Sequence, residues 1–84
     1  MRIHKEVRIK RRPGGRTRLF DPRSGTVFAL NGCGDALAEL LERGANRAEL
    51  RAALVERFEV APWVAATDVE LFLQTLEHHG LLES

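Results

Sequence analysis

The sequence predicts an α+β domain, a three-stranded antiparallel β-meander followed by three helices in a winged helix-turn-helix-like order. Three observations carry this expectation. Between Leu19 and Leu41 the apolar pattern changes in mid-course, from strand-like up to Leu30 to helical from Asn31 onward. Ahead of that point the segments are separated by short Pro- and Gly-containing turns, and sequential short loops favour antiparallel neighbours. Beyond it, two more helical stretches each open on a recognisable start signal. With 84 residues, the chain is expected to form one domain over residues 1–84 and to bury roughly 60–65% of its unfolded surface. That size leaves little room for a deep catalytic pocket.

The first strand is expected within residues 5–12, where Val7 and Ile9 alternate with Arg8, Lys10 and Arg12. Pro13-Gly14-Gly15 closes it as a turn. Residues 16–20 form the second strand and residues 26–30 the third, joined through Asp21-Pro22-Arg23-Ser24-Gly25. Asn31 caps the first helix, whose apolar stripe is Cys33, Leu37, Leu40 and Leu41, and Gly44 ends it in a left-handed conformation. Asn46-Arg47-Ala48-Glu49 has the spacing of a capping box and opens a helix expected to bury Leu50, Ala53, Leu54 and Phe58, stopping near Glu59. Pro62 suits the first position of a third helix, closed by Gly80, with Leu81 and Leu82 folded back under the core.

Composition narrows the function. Hydrophobic residues make up 44% and charged residues 30%, which is ordinary for a globular domain and unlike a disordered chain. No apolar run approaches the roughly 20 residues of a membrane span, and MRIHKEVRIKRR lacks the apolar block of a signal peptide, so a cytoplasmic protein is expected. A single cysteine agrees with a reducing compartment. The net charge of +1 hides a segregation: residues 1–25 hold nine Lys or Arg against Glu6 and Asp21, while the rest of the chain is acidic. The basic, strand-rich part is where an acidic partner would dock.

Catalytic constellations are not evident. Cys33 lies between two glycines near a helix start, a position where reactive thiols occur, but its place on the apolar stripe favours a small core residue over a nucleophile. His78 and His79 are adjacent and so point about 100° apart on a helix. They read as a solvated helix end rather than a ligand set. Gly14-Gly15 lacks the Lys and Ser/Thr of a phosphate-binding loop, and Gly32-Cys33-Gly34 lacks the third glycine of a dinucleotide fingerprint. No enzymatic activity, cofactor or metal is expected.

The third helix carries the sharpest physical clue. Val69, Phe72, Leu73 and Leu76 fall within one arc of about 100°. Val64 and Leu71 lie nearly opposite, beside Asp68, Thr75 and His78. Scattered surface aliphatics are common, but this second, mixed face also suits the wall of a groove. A strand edge beside such a wall holds an extended peptide, with main-chain hydrogen bonds for affinity and side-chain pockets for specificity. Nucleic acid is the alternative partner, because a β-hairpin with three helices is also the parts list of a winged helix. The third helix, however, carries Asp68, Glu70 and Glu77 and no Lys or Arg, which disfavours facing phosphates.

The run Val27-Phe28-Ala29-Leu30-Asn31 into an Ala/Leu helix, Asn46-Arg47-Ala48-Glu49-Leu50 with Phe58-Glu59-Val60, Asp68-Val69-Glu70-Leu71-Phe72-Leu73, and Gly80-Leu81-Leu82 together resemble the PqqD family. Its members are recognition elements for ribosomally made, post-translationally modified peptides. The resemblance extends from about Val7 to Glu83. It implies a non-catalytic domain that binds the leader region of a precursor peptide as an added strand and delivers it to a modifying enzyme. Such an enzyme would be a radical S-adenosylmethionine protein, as in pyrroloquinoline quinone synthesis, or the protease and cyclase of lasso-peptide pathways. Carried over here, the edge is Thr26, Val27, Phe28, Ala29 and Leu30, and the groove wall Asp68, Leu71, Phe72 and Thr75. Arg16, Arg18 or Arg23 would meet acidic leader residues. Two features depart from the family pattern: Ala61 stands where a polar cap is common, followed by Trp63, and the first helix opens with Gly-Cys-Gly. Trp63 either covers the core near Phe58 or faces a partner enzyme, and burial is the expectation.

Overall fold

A computed structural model describes residues 1–14 and 16–83. Gly15, the end of the expected turn after Pro13, and Ser84, the end of the expected domain, lie outside the described residues. In chain order the elements are β1 (Arg2–Ile3), β2 (Arg8–Lys10), β3 (Arg18–Asp21), β4 (Thr26–Ala29), α1 (Gly32–Arg43), α2 (Arg47–Phe58), α3 (Pro62–His78) and β5 (Leu82–Glu83). The meander is present: β2, β3 and β4 form an antiparallel sheet in that order, pairing Ile9 with Leu19 and Leu19 with Phe28. Three helices follow it, as the sequence predicts.

The caps form as expected from local chemistry. Asn31 Oδ1 accepts from the Gly34 N–H at 2.8 Å and satisfies one of the donors a helix start leaves without a partner. Asn46 and Glu49 complete a reciprocal capping box, with bonds of 2.8 and 3.0 Å. Pro62 occupies the first turn of α3. Gly44 differs in detail: its φ of 95° is positive, but its ψ of 128° is not that of a left-handed helical residue.

The strand expected over residues 5–12 is shorter, because the Val7 N–H bonds back to the His4 carbonyl and the Glu6 N–H to His4 Nδ1, folding residues 4–7 into a turn. A second departure is an added clasp. β1 pairs antiparallel with β5, so that Ile3 faces Leu82, and Ala45 donates to the Met1 carbonyl at 2.8 Å. The clasp holds Leu81 fully buried, in line with the expected return of Leu81 and Leu82.

Leu19, Leu37, Leu41, Leu50, Leu54, Val69, Leu76 and Leu81 form the centre of the core. Two sequence expectations fail at its margin. Phe58 is 39% exposed and Trp63 73% exposed. Leu50 and Leu54 already fill the space under α2, and Phe58, one turn further on, projects over the start of α1, where its ring lies 4.0 Å from the Cβ position of Gly32. Trp63 sits about 120° around α3 from Val69, and the first buried residue of that helix is Ala65. Periodicity identifies the buried side of a helix but not how far along it the core extends.

Candidate functional site

β4 is an edge of the sheet: among the described residues it pairs with β3 alone. Its ladder determines which groups are free. Leu30 N–H donates to the Thr17 carbonyl at 2.9 Å, so Thr17 and Leu30 form a hydrogen-bonded pair. Such pairs alternate along an antiparallel ladder, so the next are Leu19 with Phe28 and Asp21 with Thr26. The main-chain groups of Val27 and Ala29 therefore point away from β3 toward the open edge. Two donors and two acceptors at this edge remain for a further strand.

Beside the edge runs a groove of about 410 Å³. Phe28, Ala29 and Leu30 make one rim, and Asp68, Leu71, Phe72 and Thr75 of α3 the other. The floor is Cys33, Gly34 and Leu37 from α1 with Leu54 from α2. The lining is mostly apolar, and Asp68 is its single charged residue. Leu71 is 57% exposed, whereas Val69 and Leu73, two residues to either side of it, are buried. Thr75 donates its hydroxyl to the Leu71 carbonyl at 2.9 Å, which keeps that hydroxyl on the helix.

The expected residues thus divide. Phe28, Ala29, Leu30, Asp68, Leu71, Phe72 and Thr75 come together around one groove. Thr26 lies on the same strand, its hydroxyl 2.7 Å from that of Ser24. Val27 faces the other side of the sheet, where it shares a hollow with Arg16 and Arg18. Arg23 is used differently: its Nε and Nη2 donate to the two carboxylate oxygens of buried Asp21, each at 3.0 Å, and Nη2 also donates to the Gly80 carbonyl at 2.7 Å. The Arg23 guanidinium, working against burial, holds the Asp21 carboxyl below the usual carboxylate range. This pair ties the turn between β3 and β4 to the end of α3.

The floor of the groove is made of residues that carry no site signal in the sequence. Cys33, Leu37 and Leu54 carry the pattern of core residues, and Leu37 and Leu54 are core residues whose upper surfaces also line the groove. Gly34 is closely approached: a Cβ there would stand 3.2 Å from the Phe72 ring and 3.3 Å from Asn31 Oδ1. Its lack of a side chain lets Phe72 lie against α1. At one end of the groove the His79 ring packs 5.7 Å from that of Phe28.

Similar architecture occurs in two solved structures, both of complexes. TbiB1 in complex with the TbiA(beta) leader peptide is 27% identical with a TM-score of 0.90, over 100% of this chain and 96% of that one. The lasso peptide synthetase B1 complexed with the leader peptide is 24% identical with a TM-score of 0.84, over 99% and 96%, and is a likeness of fold. No curated protein matches the chain. The meander, the three helices and the ordered hydrophobic motifs fall within one family description, coenzyme PQQ synthesis protein D (PqqD), which matches residues 16–82, and the chain belongs to that PqqD family.

Proposed function

We propose that this chain, acting as one domain over residues 1–84, is a non-catalytic adaptor that binds the leader region of a ribosomally made precursor peptide and holds it for a modifying enzyme. The observation that carries the reading is the juxtaposition of the open β4 edge with the apolar groove. Strand addition draws affinity from main-chain hydrogen bonds and specificity from alternate side chains entering pockets. Here Val27 and Ala29 supply the main-chain groups, and Phe28, Leu71 and Phe72 the apolar contacts. Membership of the PqqD family supports the reading, as do the leader peptides held by TbiB1 and by the lasso peptide synthetase B1.

The modifying enzyme is a radical S-adenosylmethionine protein or a protease and cyclase pair, and the setting is the cytoplasm. Among the described residues no helix is long and apolar enough to cross a membrane. A nucleic-acid role is not favoured, because α3 presents Asp68, Glu70 and Glu77 without a Lys or Arg.

Titration with synthetic leader segments, taken from small open reading frames beside the gene, tests the reading through backbone amide shifts. Shifts concentrated on Thr26–Ala29, Leu30 and α3 are expected. Salt-sensitive duplex binding through residues 1–25, with no peptide response at β4, would overturn it.

A further inference from the structure

A strand added to β4 has two sides, and the groove accounts for only one of them. Alternate side chains of such a strand enter the groove, and the intervening ones emerge on the outer face of the sheet. Directly opposed residues of an antiparallel pair share a face, so the register places Arg8, Lys10, Arg18, Phe20, Val27 and Ala29 together on that outer face. Leu19 and Phe28 lie on the inner one. The outer face contains a hollow of about 210 Å³ lined by Lys10, Arg12, Arg16, Arg18, Phe20 and Val27.

The cations of this hollow have no carboxylate partner among the described residues. Among the described residues, ion pairs join Arg11 to Glu42, Arg23 to Asp21, Arg47 to Glu70 and Arg57 to Glu39. None of these belongs to the hollow. Lys10 holds its ammonium 5.5 Å from the centre of the Phe20 ring, so an aromatic face, not a carboxylate, is its neighbour. The hollow is continuous with the open edge, because Val27 belongs to both. Arg18 stands directly opposite Ala29, whose methyl group leaves the way to the edge clear. An added strand would run about 10 Å from β3, within the combined reach of an arginine and a glutamate side chain. On the other side, Asp68 is the one charged residue of the groove and repels acidic side chains there.

We propose that the outer face reads acidic side chains on the same added strand whose inward side chains fill the groove, so that the bound segment alternates apolar residues facing inward with acidic residues facing Arg16 and Arg18. The proposal rests on strand addition at β4 and specifies the class of peptide accepted there. Phe20 and Val27 give the methylenes of a glutamate an apolar bed, while the surrounding cations hold its carboxylate. The two faces impose opposite demands, and a peptide in the wrong one-residue register would put acid against Asp68 and leucine against arginine.

Selection of a phage-displayed random dodecapeptide library on the immobilised protein tests this. Enriched sequences should alternate apolar and acidic residues. In a synthetic copy of one, each outward Glu→Gln change should weaken binding about two- to fivefold, the range for an exposed ion pair. That difference should vanish in the Arg16→Gln/Arg18→Gln protein and in high salt. Enriched peptides that alternate apolar with neutral residues, and still shift the Val27 and Ala29 amides, would overturn the proposal while leaving strand addition standing. No enrichment, or binding that leaves those amides unmoved, would overturn strand addition and the proposal with it.

Discussion

Leu71→Asp separates a groove wall from a core residue. Complete burial of a leucine is worth about 1.5–3 kcal/mol, and Leu71 is 57% exposed. Covering it with a peptide therefore contributes about 1–1.5 kcal/mol, and the part already buried contributes about 1 kcal/mol to folding. Aspartate forfeits the first quantity. It also places a carboxylate in an apolar groove within one turn of Asp68, for about 2 kcal/mol or more. Together these lower peptide affinity by about 3–4 kcal/mol, or more than a hundredfold. Folding stability falls by only about 1–1.5 kcal/mol, including roughly 0.5 kcal/mol of helix propensity. Leu73, 2% exposed on the same helix, is the control, and its truncation to alanine costs about 2–5 kcal/mol. Urea unfolding and peptide titration by calorimetry on both variants provide the comparison. A stability loss above about 3 kcal/mol for Leu71→Asp, or unchanged peptide affinity, would refute the assignment.

Asn46→Ala removes half of the capping box and should lower stability by about 1 kcal/mol, seen as a fall in thermal midpoint of about 4–8 °C. Gly34→Ala gains up to about 1 kcal/mol of helix propensity but crowds Phe72 and the Asn31 cap. The thermal midpoint should move little, while displacement of the Phe72 ring weakens peptide binding, readable from its ring proton shifts. Asp21 has its carboxyl lowered by Arg23, so the stability from this pair is present above about pH 4 and is lost as pH falls through the lower folded-state value. The gap in thermal midpoint between the wild type and Arg23→Gln should accordingly be widest at neutral pH and narrow on acidification. A constant gap would mean that Arg23 does not act through Asp21, leaving its contacts with the Gly80 carbonyl and His4 Nε2.

What was legible in the sequence was local chemistry. Asn31 and Asn46 with Glu49 announce helix starts because a cap is a bond between residues three apart, and Pro62 does so because its fixed φ and missing N–H suit a first helical turn. The wall was legible because Leu71 is out of phase with Val69, Leu73 and Leu76 on one helix. The clasp was not, since two-residue strands carry no period and Ile3 meets Leu82 only after the whole chain has folded. Phe58 and Trp63 misled because period fixes a direction and not the extent of the core. The floor stayed hidden because Leu37 and Leu54 serve core and groove at once. The bond from Arg23 to the Gly80 carbonyl was not legible, because its acceptor is distant in sequence.

The two edges of the three-stranded sheet differ in what they offer an added strand. β2 presents three residues, of which Arg8 and Lys10 are cations exposed to solvent. Shortness and positive charge are the usual protections of an edge against pairing with another chain. β4, reading Thr-Val-Phe-Ala, carries no charge at all, and Val27 is 58% exposed. Nothing in the strand itself discourages a partner. For a strand added there as proposed, the restraint would lie alongside, in the mostly apolar groove and in Asp68, which would repel acidic side chains. The main-chain groups of Val27 and Ala29 would accept any extended chain, so discrimination among peptides falls to what stands on either side of them.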